Sequence, residues 1–130
     1  MQHDRVVVIT GAAGGVGSVL VGRFLANGDT VIATDTRKET LEEWRGRWDA
    51  DAKLVTAAAD ISADEDCGRL ADVARETAGR VDVLVNCAGY FPIRPFEEMS
   101  SGDWQRVIDI NLTSAFLMTR AMLPLMKGRG

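Results

Sequence analysis

The sequence predicts an α/β fold in which a parallel sheet is covered by helices on both faces, three layers in all. Two observations carry the prediction. Short apolar runs of strand length alternate four times with longer segments of helical spacing. The runs are apolar at consecutive positions rather than alternate ones, as strands buried on both faces require.

The elements follow in order. Arg5–Thr10 is the first strand, and Gly15–Asn27 reads as a helix with Val16, Leu20 and Phe24 on one side and Val19 alongside. Gly28 is its stop signal. Thr30–Thr34 is the second strand, and Glu39–Trp48 is a polar helix with Leu41, Trp44 and Trp48 facing the core. Both tryptophans read as packing anchors. Lys53–Ala59 is the third strand. Ser62 and Glu65 have capping-box spacing and predict a helix to Ala78, with Leu70, Val73, Ala74 and Thr77 on one face and Gly79 as its end. Val81–Val85 is the fourth strand. After a loop holding Pro92 and Pro95, Ser100 with Asp103 caps the longest helix. Its predicted core stripe runs Trp104, Val107, Ile108, Asn111, Leu112, Ala115, Phe116, Thr119, Met122 and Leu123. Lys127 and Arg129 suit the negative end of that helix.

Strands joined by helical crossovers make right-handed βαβ units. Wound in the Rossmann manner, they give strand order 3-2-1-4 in a doubly wound sheet. One domain, residues 1–130, accounts for the whole sequence. The pattern stops before a fifth strand, so the fold reads as truncated after the fourth strand and its long helix. That leaves the fourth strand as an apolar edge.

Composition narrows the function. The formal net charge is −4 with both signs interspersed, which argues against nucleic acid or an anionic membrane as partner. No apolar run approaches membrane-spanning length, and no signal peptide is apparent. Cys67 and Cys87 form no CxxC, and the one histidine is His3, so no metal site is expected. Two thiols fit a reducing, cytoplasmic location.

The chemistry-bearing motif runs from Thr10 through Gly11, Gly14, Gly15 and Val16 to Gly17, after a buried strand and opening a helix. Glycines allow a sharp turn and close approach to a pyrophosphate, and the helix N-terminus supplies N–H donors. No Gly-Lys-Ser/Thr ending follows, which rejects a nucleoside-triphosphate loop. Asp35 ends the second strand eighteen residues after Gly17. An acid there accepts from ribose hydroxyls and repels a 2′-phosphate, which favours NAD over NADP; a turn-capping role is the alternative. Nearby Arg37 weakens that preference. Asp60 and Asn86 each have a plain turn reading as well. Asn111, on the apolar stripe, reads as a buried and therefore hydrogen-bonded amide. Cys87 reads as a packing residue. Arg94 and Phe91 could border a substrate mouth or simply lie in a solvated loop.

Taken together, these residues resemble the short-chain dehydrogenase/reductase family over the whole chain. Thr10-Gly11-x-x-x-Gly15-x-Gly17 is similar to that family's cofactor loop. Asp60-Ile61 is similar to its adenine-side pair, and Asn86-Cys87-Ala88-Gly89 to its Asn-Asn-Ala-Gly segment with Cys87 replacing one Asn. Asn111 matches its active-site Asn, which the resemblance links to a water path toward a catalytic lysine. The resemblance implies a nicotinamide cofactor, a small alcohol or carbonyl substrate once the fold is completed, and homo-oligomerisation through the long helix.

The family's Ser and Tyr-x-x-x-Lys are not in the sequence. The only tyrosine, Tyr90, is followed four residues on by Arg94, with Pro92 between. Three readings therefore stand. The sequence is the cofactor-binding part of an oxidoreductase, or a non-catalytic NAD(H)-binding or assembly module, or a fragment whose uncovered edge and helix drive self-association.

Overall fold

The computed structural model describes residues 4–128. His3 and Arg129, read above from the sequence, lie outside them. The elements are β1 Val6–Thr10, α1 Gly15–Ala26, β2 Thr30–Asp35, α2 Lys38–Arg45, β3 Leu54–Ala58, α3 Asp64–Ala78, β4 Val83–Val85, α4 Ser101–Ile108 and α5 Ser114–Met126. A short 3-10 turn, Phe96–Glu98, precedes α4, and a π turn, Asp109–Thr113, joins α4 to α5. The sheet has order β3-β2-β1-β4 with every pair parallel. This is the doubly wound Rossmann arrangement the alternation predicts.

Alternate residues of the central strands feed two cores. Val6, Val8 and Ile32 pack with α3 and α5 residues such as Leu70, Met118 and Met122. Val7, Ile9 and Val31 pack against Val21 of α1 and Leu41 and Trp44 of α2. Both faces of β1 are thus dry, which is why its run is apolar without alternation. Each such side chain contributes about 1.5–3 kcal/mol of burial. β4, at the edge, is only half-buried. Glycine ends two helices in the left-handed region, Gly28 at φ 86° and Gly79 at φ 69°.

Several expected faces are rotated. In α1 the buried positions are Gly17 and Val21, while Val16 and Val19 are exposed. Gly17 lets the helix sit against the loop below it, so the contact face centres there. The α2 helix ends at Arg45, and Trp48 lies beyond it, edge-on to Trp44 at 5.6 Å between ring centroids. The Ser62–Glu65 capping box does not form: Ala63 caps α3 without a side-chain bond. Ser62 instead bonds to the Asp60 carboxylate, and Asp66 accepts from the Asp60 amide at 2.7 Å. Thr77 is exposed, and Cys67 and Ala71 join Leu70 and Ala74 on the buried face. The Ser100–Asp103 box does form. On the long helix the buried residues are Ser114, Leu117, Met118 and Met122, whereas Trp104, Leu112, Phe116 and Leu123 are exposed.

Candidate cofactor cleft

The C-terminal ends of all four strands open into one cleft of about 1380 Å³. In an open doubly wound sheet this is where ligands sit, at the point where strand order reverses. Its floor is the turn from β1 into α1. Gly11 has φ 62°, and a Cβ there would stand 2.8 Å from the Ala88 backbone. A Cβ on Gly17 would stand 2.1 Å from the Gly11 carbonyl. Both glycines are therefore required by the chain's own packing. Gly15 is different: a Cβ there meets nothing within 4 Å and would enter open space at the cleft.

Thr10 lies beneath this floor, fully buried. Its hydroxyl accepts from the amides of Cys87 at 3.1 Å and Ala88 at 3.0 Å, tying the segment after β4 to the end of β1. A second chain of bonds fixes the loop from the other side. The Trp44 indole N–H donates to the Ser18 hydroxyl at 2.9 Å, and Ser18 donates to the Ala12 carbonyl at 3.2 Å. Neither Ser18 nor Trp44 carries a motif signal; only the packing of α2 on α1 brings them together. The N-terminus of α1 has no side-chain cap. Its first amides face the cleft with the positive end of the helix dipole.

Asp35 stands at the cleft wall. One carboxylate oxygen accepts from the Ala13 amide at 3.1 Å and the other from the Thr36 amide at 2.8 Å. Arg37 lines the same end. Asp60, Ile61, Ala88 and Gly89 also line the cleft, with Gly14, Gly15, Val16 and Gly17. The motif positions off its lining are Thr10, Asn86 and Asn111. Asn86 is exposed and donates weakly, at 3.5 Å, to Thr119. Asn111 is exposed too, not buried, because it sits in the π turn where the helix surface rolls outward. It is nonetheless fully bonded. Its Oδ1 accepts from the Tyr90 amide at 3.1 Å, and its Nδ2 donates to the carbonyls of Tyr90 at 2.7 Å and Val107 at 2.9 Å.

Sequence motifs did not single out the far wall, formed by Tyr90, the α4 residues Gly102, Gln105 and Arg106, and Asp109 at the start of the π turn. Spacing of three and four residues puts these α4 positions on one face. Phe91 is exposed off this lining, and Arg94 pairs with Asp103 at 2.6 Å. Cys67 is buried, and burial together with nearby Asp64 pushes its thiol up to about 11. Among the described residues no group of three or more His, Cys, Asp or Glu is placed to hold a metal ion. No helix among them is long and apolar enough to cross a membrane.

The comparisons with known proteins agree with this geometry. The family model for short chain dehydrogenases matches residues 5–130. The chain belongs to the short-chain dehydrogenase family. Members of this family bind nicotinamide cofactors. The chain is 34% identical over 129 residues to an acetoacetyl-CoA reductase of Allochromatium vinosum, covering 97% of this chain and 52% of that protein. It is 37% identical over 139 residues to a 2-(R)-hydroxypropyl-CoM dehydrogenase of Xanthobacter autotrophicus, covering 98% and 54%. Among solved structures, the Brucella melitensis short-chain dehydrogenase/reductase described as a glucose/ribitol dehydrogenase superposes with TM-score 0.90 at 35% identity, covering 98% of this chain and 55% of that one. This short-chain dehydrogenase chain thus spans about half the length of the relatives it matches.

Proposed function

We propose that this chain is the nicotinamide-dinucleotide-binding part of an oxidoreductase acting between an alcohol and a carbonyl, with NAD(H) preferred over NADP(H). The observation that carries the reading is the uncapped α1 N-terminus opening on the cleft beside Gly15, whose missing Cβ serves no packing need of the chain. Space and amide donors at one point suit a pyrophosphate.

The residues fit the group. The amides of Gly15, Val16 and Gly17 would hold the pyrophosphate. Asp35 would exchange an amide contact for the ribose hydroxyls and repel a 2′-phosphate. Asp60 and Ile61 would border the adenine, and Ala88 and Gly89 would let the backbone pass close to the ribose. When bound, the nicotinamide ring gives or takes the hydride. Thr10 and Asn86 hold the segment after β4 in place, and Asn111 fixes the backbone of Tyr90 at the edge of the cleft. Proton transfer at the substrate oxygen needs a tuned acid or base, and none of the side chains on the cleft forms the family's phenol–lysine pair. Turnover is therefore expected from a polypeptide that also supplies that pair. The substrate class we assign is a carbonyl or alcohol on an anionic thiol carrier, as the names of the Allochromatium and Xanthobacter relatives state for those proteins.

Calorimetric titration with NADH and NADPH tests the cofactor reading. NADH should bind more tightly, and Asp35→Ala should bring the two affinities together. Absence of saturable NADH binding would overturn the dinucleotide assignment; an unchanged ratio in Asp35→Ala would overturn the role of Asp35.

A further inference from the structure

Among the described residues, six arginines are neutralised by an aspartate, and the two that line the cleft, Arg37 and Arg106, are not among them. Arg5, Arg69, Arg75, Arg80, Arg94 and Arg120 each pair with an aspartate. Arg106 lines the cleft from α4, and its recorded contact is the ring of Tyr90, 4.8 Å from the guanidinium carbon to the ring centroid. A ring face orients a guanidinium and leaves its charge and its in-plane N–H donors available. The platform itself is firmly held, because Asn111 grips both the amide and the carbonyl of Tyr90. Asp109, three residues on, accepts a hydrogen bond from Gln105 at 2.8 Å. The far wall of the cleft thus presents an oriented cation.

We propose that Arg106, seated on Tyr90, is the substrate-side anchor for the phosphate of the pantetheine-type carrier that bears the reacting carbonyl. The proposal rests on the carrier-linked substrate class assigned above and adds the residue that recognises it. It separates two anionic demands on one cleft. The helix dipole and amides of α1 serve the dinucleotide, and the α4 wall serves the substrate. A planar guanidinium suits a terminal oxyanion because it can offer two parallel N–H bonds. Arg106 is a specificity residue in this assignment: it holds the remote end of the substrate and does not touch the reacting carbon.

The test uses a matched pair of probes, S-acetoacetyl-4′-phosphopantetheine and S-acetoacetyl-pantetheine, which differ only in the phosphate. Affinities are measured by calorimetry at low salt, with NADH present and absent. The phosphorylated probe should bind about tenfold or more tightly than its neutral partner, the difference expected for hydrogen bonds to a charged group. Arg106→Gln should erase that ratio, and Arg106→Lys should restore part of it. Tyr90→Leu should reduce it, and Tyr90→Phe should keep it. Thermal melts of each variant show that the fold is retained. Equal affinity for the two thioesters, or a ratio that survives Arg106→Gln, would overturn the proposal. Failure of NADH to bind is read separately and counts against the cofactor assignment alone, since the probe ratio is also measured without NADH.

Discussion

Gly15 and Gly17, two residues apart, give opposite predictions. Gly17→Ala places a methyl 2.1 Å from the Gly11 carbonyl and 2.8 Å from the Ala12 α-carbon. Real Cβ atoms essentially never approach closer than 3.0 Å, so α1 or the loop must move by about 0.9 Å, the difference of 3.0 and 2.1. Overpacking of backbone against backbone costs ~1–3 kcal/mol or more. For a domain of this size that lowers the melting temperature by roughly 5–15 °C. Gly15→Ala meets nothing within 4 Å. Alanine is the better helix former by up to about 1 kcal/mol, so the melting temperature should hold or rise slightly. The same methyl should stand where the pyrophosphate binds and weaken NADH by about tenfold or more, the worth of hydrogen bonds to a charged group. The assay pairs thermal melts followed by circular dichroism with NADH titration of each variant. A Gly15→Ala variant with wild-type NADH affinity would refute the argument from open space. A Gly17→Ala variant with the wild-type melting temperature would refute the argument from contact.

The other expectations concern the loop, the thiol and the uncovered helix. The Asp103 carboxyl is held below the usual range by the Ser100 amide, then by the Ser100 hydroxyl and Arg94. A depressed folded pKa stabilises above the unfolded value, about 3.9, and that contribution is lost as pH falls through the folded value. The start of α4 should therefore loosen at acid pH, and the acid-induced fall in amide protection factors there should be absent in Asp103→Asn; a fall that persists in the variant would contradict this. With its thiol raised to about 11 by burial, Cys67 should stay unlabelled by a maleimide at neutral pH until the protein is denatured; rapid native labelling of Cys67 would contradict the assignment. Leu112, Phe116 and Leu123 leave an apolar strip on the outer face of the long helix. We expect self-association, seen as concentration-dependent sedimentation that Phe116→Glu reduces; one monomeric species at all concentrations would disprove it.

Much of this architecture was legible in the sequence because short apolar runs, bounded by glycine turns and alternating with helical spacing, fit buried parallel strands. Val6–Thr10 has no polar position until Thr10, and the glycine turn that follows fits only a tight βα junction. The strand order followed from the alternation with helices. Less legible were features set by packing across elements. The Ser62–Glu65 spacing fits a capping box, but Asp60 takes the Ser62 hydroxyl first, because the end of β3 brings that carboxylate within reach. The helix α1 carries apolar residues almost all round, so periodicity alone could not tell that Gly17 and Val21 face inward. For the site, motif residues supplied the near wall of the cleft. The far wall came from α4, whose face is polar and carries no signature.

Asn111 shows what the π turn in the long helix does for the cleft. Between Asp109 and Thr113 the helix widens into a π turn. A π turn accommodates one extra residue, and one residue is 100° of helix rotation at 3.6 residues per turn. At 3.6 residues per turn Val107 is in phase with Ser114 and Met118, which the chain buries, while Phe116 lies off that line and is exposed. In a regular helix the carbonyl of Val107 would receive the backbone N–H of residue 111. Here the side-chain amide of Asn111 reaches it at 2.9 Å and also binds Tyr90 at 2.7 Å. The extra residue therefore does two things with one amide. It serves the helix carbonyl at the widened turn, and it swings a hydrogen-bonding group out of the core to where the loop after β4 passes. A core asparagine at the same position would have no route to Tyr90. The widened turn and the hold on the cleft edge are the same structural event.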